Sequence, residues 1–202
     1  AAILAVTGEP GCLLIVKNYT GDRLNFGLAA ERARALGLDV GMVIVNDDIA
    51  LPDLPQPRGL AGTLFVHKIC GALAEAGAAL DTVSAAASSV IGRVVSLGMS
   101  LDTCSVPGVP KQERIGKDKA EIGLGIHGEP GAEQVDYANA TQSMGMIVDR
   151  LARTLGAGPH VALLNNLGSA MPLEMSLLLE ELVGSRIGDR IDWMVGPAPM
   201  MT

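Results

Sequence analysis

Aromatic residues are scarce in this sequence, and positive charge is in the minority. Tryptophan, tyrosine and phenylalanine make up 2% of the residues, and the net charge is -7. Surfaces that bind nucleic acid combine a basic stripe with aromatic side chains on which bases stack. Because the sequence offers neither feature, we do not expect a nucleic-acid partner.

Long apolar runs are also missing. The strongest runs, residues 12–16 and 42–45, are far shorter than the roughly 18 apolar residues of a membrane-spanning helix. They are typical of buried strands. With 49% apolar and 18% charged residues, most of the chain is expected to pack into a soluble globular fold without a membrane partner.

Cysteines are few and widely spaced. Cys12, Cys70 and Cys104 are odd in number and form no C-x-x-C pair. This pattern favours neither a disulfide framework nor a thiolate zinc site. A reducing cytoplasm is the compartment that fits it best.

The two ends of the sequence are not typical of complete domain ends. The opening stretch AAILAVTGEPG has no initiating methionine, no basic region and no extended apolar core, which argues against a signal peptide. It predicts the last turns of a helix that ends at Gly8, while the closing GPAPMMT predicts neither a capped helix nor a finished edge strand. We therefore expect a larger protein to continue beyond both ends.

Short apolar bursts alternate with segments of helical periodicity. Strands are predicted at residues 12–16, 40–45, 99–106, 120–126, 160–166 and 191–195, and helices at 24–36, 60–76, 80–97, 140–155 and 173–183. This alternation is typical of an α/β fold with a parallel sheet and helices on its faces. A polar stretch rich in proline and glycine follows residue 106, so the predicted domains are 1–106 and 107–202.

Polar residues follow the first predicted strand in the stretch KNYTGD, residues 17–22. In open α/β sheets, ligands bind beyond the carboxyl ends of the strands, so Lys17 and Asp22 are candidate site residues. The same stretch also suits a helix entry in which Thr20 or Asp22 caps the amides of the next helix. The two interpretations are compatible.

A single histidine lies among glycines in GLGIHGEPG, residues 123–131. Gly123, Gly125 and Gly128 match the dinucleotide pattern G-x-G-x-x-G, but a proline follows and no helix is predicted, which disfavours that function. An ordinary strand and turn is one alternative. The other is that the glycines leave room for a ligand to reach the imidazole of His127, whose neutral form can transfer a proton or attack a carbonyl.

Other polar positions have simpler interpretations. Asp47 and Asp48 lack the further ligands of a metal cage, so we expect a solvated turn. His67 is expected to be a packed or interface histidine on a helix, and His160 to cap a loop before a strand. In LLNNLGSAMPLE, residues 163–174, backbone amides could hold an anion, or Asx-type hydrogen bonds could stabilise the strand end.

Five stretches occur in the order and at the spacing of one known family. They are LLIVKNYTGDRLNF (13–26), GLAGTLFVHKICGALAEAGA (59–78), CSVPG (104–108), EIGLGIHGEPG (121–131) and LLNNLG (163–168). With these motifs the chain resembles the dihydroxyacetone kinase family, specifically its ketose-binding K subunit or domain. The resemblance implies two three-layer α/β/α-type domains with mostly parallel or mixed sheets. Residues 1–106 would be the C-terminal part of the first domain, and 107–202 the second, C-terminally incomplete domain, which carries the histidine.

The resemblance also implies roles for three residues. His127 would bond covalently to the carbonyl carbon of dihydroxyacetone, or of a similar short ketose or aldose, as a hemiaminal. Asp22 would take the proton from the hydroxyl that is phosphorylated, and Lys17 would contact the substrate. The implied reaction is the phosphoryl transfer of glycerone kinases, which gives dihydroxyacetone phosphate in the cytoplasm.

The phosphoryl donor is expected on a partner and not on this chain. In the family, a nucleotide-binding L subunit or domain carries ATP with Mg²⁺, or an ADP that a phosphotransferase protein rephosphorylates. The resemblance further implies a homodimer, no cofactor or metal on this chain, and a glycine-rich segment with another histidine upstream of residue 1. A catalytically silent, ketose-sensing coregulator is the alternative function.

Overall fold

The computed structural model of the protein describes residues 1–52, 55–103, 108, 110–111, 113–125, 129–168 and 170–200. Helices and strands alternate along most of these residues. They are α1 Ala2–Val6, β1 Cys12–Lys17, α2 Thr20–Ala35, β2 Val40–Val45, α3 Thr63–Glu75, α4 Leu80–Ile91, β3 Met99–Ser100, β4 Lys119–Ile122, β5 Glu133–Asp136, α5 Ala140–Thr154, β6 His160–Asn165, α6 Pro172–Val183 and β7 Ile191–Ala198.

The predicted α/β class is confirmed, and in the described residues the strand pairs are parallel in two sheets and antiparallel in a third. Several boundaries differ from the prediction. Helix α2 begins at Thr20 and not at residue 24, and α4 ends at Ile91 and not at residue 97. Strand β4 ends at Ile122 because Gly123 has a positive φ of 82°, which leaves the extended conformation. Strand β5 was not predicted from the sequence.

The chain divides into two compact units. Unit 1 comprises Ala1–Asp48 and Asp53–Val94, and unit 2 comprises Ile49–Pro52 and Val95–Thr202. The passage from unit 1 to unit 2 therefore lies at Val94 and Val95, whereas the domain boundary near residue 106 stays a prediction.

Unit 1 is built on the parallel pair β1 and β2. Alternating side chains of β1 face opposite layers: Leu13 and Ile15 pack with α3 and α4, while Leu14 packs with α2. Helices therefore cover both faces of this sheet. Cys70 lies in the core on the α3 side, where burial raises the pKa of its thiol, so it is a neutral packing residue there.

Unit 2 contains two separate sheets. Strands β3, β4 and β5 form an antiparallel sheet with β4 at its centre, and β6 and β7 form a parallel pair. Helices α5 and α6 pack on one face of the parallel pair through a core cluster around Met144, Val148 and Leu182. Among the described residues, no helix combines the length and hydrophobicity that a membrane crossing requires.

Candidate functional site

The stretch KNYTGD lies at the carboxyl edge of the sheet in unit 1. Lys17 is the last residue of β1 and pairs in register with Val45, the last residue of β2. Asp22 lies in the first turn of α2, directly after β1. Both side chains are partly buried. The structure thus places Lys17 and Asp22 at the edge where ligands bind in open α/β sheets.

The start of α2 differs from the predicted capped entry. Tyr19 occupies the N-cap position and makes no side-chain capping hydrogen bond. In the described part of the chain, neither Thr20 nor Asp22 caps an amide, so the capping interpretation is wrong. The Asp22 carboxylate instead lies in the positive field of the helix N-terminus, which is a favourable position for a negative charge.

Asn18 fastens the loop before α3 to the end of β1. Its side chain is 7% exposed, and Nδ2 donates a hydrogen bond of 2.7 Å to the carbonyl of Pro57. In return, Nε2 of Gln56 donates to the backbone carbonyl of Asn18 at 3.3 Å. Because Asn18 donates one hydrogen bond to the loop and accepts another from it, the loop has a defined position beside Lys17.

Asp47 and Asp48 do not form the predicted solvated turn. They are 2% and 5% exposed, respectively. Asp47 accepts hydrogen bonds from the amides of Leu60 and Gly62 at 2.6 and 2.8 Å, and Asp48 pairs with the guanidinium of Arg58 at 2.6 Å. That prediction is wrong because the partners of both carboxylates come from a loop that begins about ten residues later in the chain.

Gly59 brings that loop against the backbone of Lys17. A Cβ atom at residue 59 would lie 2.9 Å from both Cα and Cβ of Lys17 and 2.5 Å from the carbonyl oxygen of Val45. Only a residue without a side chain fits at this distance. The loop therefore packs directly over the end of β1 and β2.

The side chains of Lys17 and Asp22 have no hydrogen-bond or ion-pair partner within the described residues. A lysine and an aspartate that are both partly buried at the same sheet edge can bind a polar ligand, and the carboxylate can exchange a proton with it. Among the residues that the structure covers, no group of three histidine, cysteine or acidic side chains lies close enough to hold a metal ion.

The glycine-rich stretch connects β4 to β5 in unit 2. The amide of Gly125 donates to the carbonyl of Glu129 at 3.2 Å, and the amide of Ala132 donates to the carbonyl of Ile122 at 2.7 Å. His127 lies outside the described residues. Because the stretch leads into a strand and not into a helix, the dinucleotide interpretation of its glycines is wrong.

The other positions considered in the sequence analysis differ in their surroundings. His67 is exposed on α3, so it is not packed within unit 1, and an interface role stays a prediction. His160 is the first residue of β6, with Nε2 2.7 Å from a guanidinium nitrogen of Arg190. Asn166 accepts a hydrogen bond from the amide of Gly168 at 2.8 Å, as the Asx-type interpretation predicts.

Two charged residues were missed from the sequence. Arg58 lies in a proline-rich loop that gives no sign of a buried partner. Glu121 is 4% exposed in β4 and pairs with Arg114. An acidic residue between Ala120 and Ile122 in a short strand was the available signal for a buried carboxylate.

Comparisons with known proteins extend over the whole chain. The dihydroxyacetone kinase of Citrobacter freundii is 51% identical over 203 residues, covering 100% of this chain and 37% of that protein. A crystal structure of this kinase with AMP-PNP and Mg²⁺ matches with a TM-score of 0.97, covering 100% of this chain and 38% of that one. The chain thus spans little more than a third of this relative's length.

Two shorter relatives match as well. The dihydroxyacetone-binding subunit DhaK of a phosphotransferase-dependent dihydroxyacetone kinase from Listeria innocua is 40% identical, covering 89% of this chain and 57% of that one. The structure of Dha-DhaQ, a co-activator of a dihydroxyacetone kinase operon, matches with a TM-score of 0.89 and 26% identity, covering 96% and 63% of the two chains. The Dak1 domain matches residues 1–191, which confirms the resemblance seen in the motifs, and the chain belongs to the Dak1 domain family.

Proposed function

We propose that this chain is the substrate-binding part of a dihydroxyacetone kinase and that it holds dihydroxyacetone covalently on His127. The match to the Dak1 domain over residues 1–191 carries the proposal, since relatives in this family are named for binding or phosphorylating dihydroxyacetone. The position of Lys17 and Asp22 at the carboxyl edge of the parallel strands supports it.

The covalent step uses a neutral imidazole. With an ordinary pKa near 6.5, a histidine keeps a free lone pair on one ring nitrogen at pH 7. That lone pair attacks the carbonyl carbon of dihydroxyacetone, a C–N bond forms, and the π electrons move to the oxygen. The oxygen gains a proton while the other ring nitrogen loses one, so the product is a neutral hemiaminal. Glycerol has no carbonyl, so this chemistry excludes it.

Phosphoryl transfer then needs a base at the reacting hydroxyl. We assign this role to Asp22, which takes the hydroxyl proton as the oxygen attacks the terminal phosphorus of the donor and the bond from that phosphorus to the departing ADP breaks. We assign a substrate contact to Lys17. A covalently tethered substrate keeps its hydroxyl oriented, and orientation of this kind contributes up to about 7 to 11 kcal/mol in the best intramolecular reactions. The protein's task in such a transfer is mainly positioning.

The phosphoryl donor belongs to a part of the system outside this chain. The sequence has no G-x-x-x-x-G-K-[ST] motif for nucleotide phosphates. The relative from Citrobacter freundii, of which this chain spans 37%, has been crystallised with AMP-PNP and Mg²⁺. We propose an L subunit or domain that supplies ATP with Mg²⁺ or a rephosphorylated ADP.

Assembly and location complete the proposal. We propose a homodimer in the cytoplasm, where the unpaired thiols of Cys12 and Cys70 would stay reduced. A ketose-sensing coregulator is the second candidate function, because the Dha-DhaQ co-activator shares this fold over 96% of the chain. A coregulator would bind the ketose without phosphorylating it.

A phosphorylation assay separates these functions. The full-length protein, supplied with its L subunit or domain and a phosphoryl donor, is expected to phosphorylate dihydroxyacetone but not glycerol. Asp22→Asn is expected to lower kcat by about a hundredfold or more, as loss of a general base does, while ketose binding is retained. Asp39→Asn, on an exposed loop of the same unit, is the matched control. Full activity of Asp22→Asn would exclude Asp22 as the base, and inactivity of the unsubstituted protein would favour the coregulator.

A further inference from the structure

Glu121 is a buried carboxylate that the proposed mechanism does not use. It lies in β4, the central strand of its sheet, and is 4% exposed. One oxygen, Oε1, accepts a hydrogen bond from the guanidinium of Arg114. Within the described part of the chain, the other oxygen is buried with no hydrogen-bond partner. Burial of a carboxylate oxygen without a donor costs free energy, so a residue that only filled space here would better be apolar.

Glu121 joins the segment before β4 to the sheet. Arg114 forms the ion pair with Glu121, and its backbone carbonyl accepts a hydrogen bond of 2.8 Å from Nε2 of Gln134. Gln134 is the register partner of Glu121 on β5. The amide of Gly116 also donates to Gln134, at 3.4 Å. The segment 114–116 is therefore tied to two neighbouring strands at one point.

The loop between β4 and β5 also contacts this point. A Cβ atom at Gly131 would lie 2.7 Å from Cγ of Glu121, so the returning limb of the loop packs against the Glu121 side chain. The outgoing limb begins two residues after Glu121, where the amide of Gly123 donates to the carbonyl of Gly98 at 2.7 Å. The returning limb thus packs on the Glu121 side chain, and the outgoing limb leaves the same strand two residues after Glu121.

We propose that the Arg114–Glu121 ion pair is a positioning device that holds the two limbs of the loop carrying His127. Arg114 draws the Glu121 side chain to one position, and the Gly131 backbone rests on that side chain. Because the covalent step requires the imidazole at bonding distance from a carbonyl, a loosened loop would lower adduct formation. This inference rests on the proposed function, since it concerns the formation of the ketose adduct.

Glu121→Gln tests the device in the full-length protein, because it keeps the volume of the side chain and removes its charge. Two measurements are made: the concentration of 2-¹³C-labelled dihydroxyacetone that half-saturates the adduct by NMR, and hydrogen exchange of the amides of Gly123, Gly125 and Ala132. We expect the half-saturating concentration to rise about tenfold or more, and exchange at these three amides to become faster. Arg114→Gln is expected to have the same effects, and the double variant to be no worse than either single variant.

Two control variants separate positioning from general loss of stability. Val148→Ala destabilises the α5 core of unit 2 without touching the loop, and Asp136→Asn removes the exposed Lys119–Asp136 pair at the other end of the β4–β5 ladder. Neither is expected to change the adduct of the folded protein. Unchanged adduct formation or unchanged amide exchange in Glu121→Gln, or an equal effect of Val148→Ala, would overturn the inference. If the unsubstituted protein forms no adduct, the proposed function fails, and amide exchange alone decides the positioning role.

Discussion

Two buried carboxylates hold the loop before α3 in place in unit 1. Asp47 accepts two backbone hydrogen bonds while almost fully buried, and Asp48 neutralises the buried guanidinium of Arg58. Hydrogen bonds to a charged acceptor are about twice as strong as those between neutral groups. Removing the charge leaves a buried donor without its partner, which costs more than the bond itself contributes.

Asp47→Asn is predicted to destabilise unit 1. The amide group of asparagine can accept only one of the two hydrogen bonds from Leu60 and Gly62, and its NH₂ group would face the other amide. We expect the free energy of unfolding to fall by about 2–4 kcal/mol. Urea unfolding followed by circular dichroism measures the loss. Asp39→Asn, with an exposed side chain on the loop before β2, is expected to change the value by less than about 0.5 kcal/mol, and an equal loss in both variants would contradict the prediction.

The helices and the longer strands could be predicted from local sequence patterns. The short strand β5 could not, because it depends on pairing with another strand. Residues 40–45 are predicted as a strand and form β2, because an apolar run bounded by turn residues is sufficient evidence. The segment of β5, EQVD, has no such pattern, and its pairing with β4 makes it a strand. The burial of Asp47 was unpredictable for the same reason, since its partners lie 13 and 15 residues later.

The loop before α3 supplies a direct test of packing between elements. Gly59→Ala would place a Cβ atom 2.5 Å from the carbonyl of Val45 and 2.9 Å from Lys17, so the loop or the end of β1 must shift. We predict a loss of about 1–3 kcal/mol in the free energy of unfolding and weaker ketose binding through displacement of Lys17. Urea unfolding and ketose titration measure the two effects.

A second glycine is the matched control. Gly27 lies inside α2, and a Cβ atom there would meet no other atom within 4 Å. Gly27→Ala is therefore expected to raise the free energy of unfolding by about 0.5–1 kcal/mol, because alanine loses less backbone entropy in a helix. A stabilising Gly59→Ala, or a clearly destabilising Gly27→Ala, would show that the described packing around these residues is wrong.

At the scale of the whole molecule, the sequence motifs were more informative than the periodicity of the apolar residues. The order and spacing of five motifs indicated the family that the Dak1 domain match shows, and the position of Lys17 and Asp22 at a sheet edge followed from the rule for parallel strands. The chain spans 37% of the length of its relative from Citrobacter freundii. Activity, donor and assembly therefore have to be measured on the full-length protein.

The covalent bond between a ketose and His127 is the central proposal, and ¹³C NMR with 2-¹³C-labelled dihydroxyacetone tests it most directly. In the full-length protein, the labelled carbon is expected to move from a ketone resonance to that of a tetrahedral carbon bonded to nitrogen and oxygen, at one equivalent per chain. His127→Ala is expected to abolish this resonance, while Asp22→Asn retains it. A tetrahedral resonance that persists in His127→Ala, or only the ketone resonance in the unsubstituted protein, would contradict the assignment of His127.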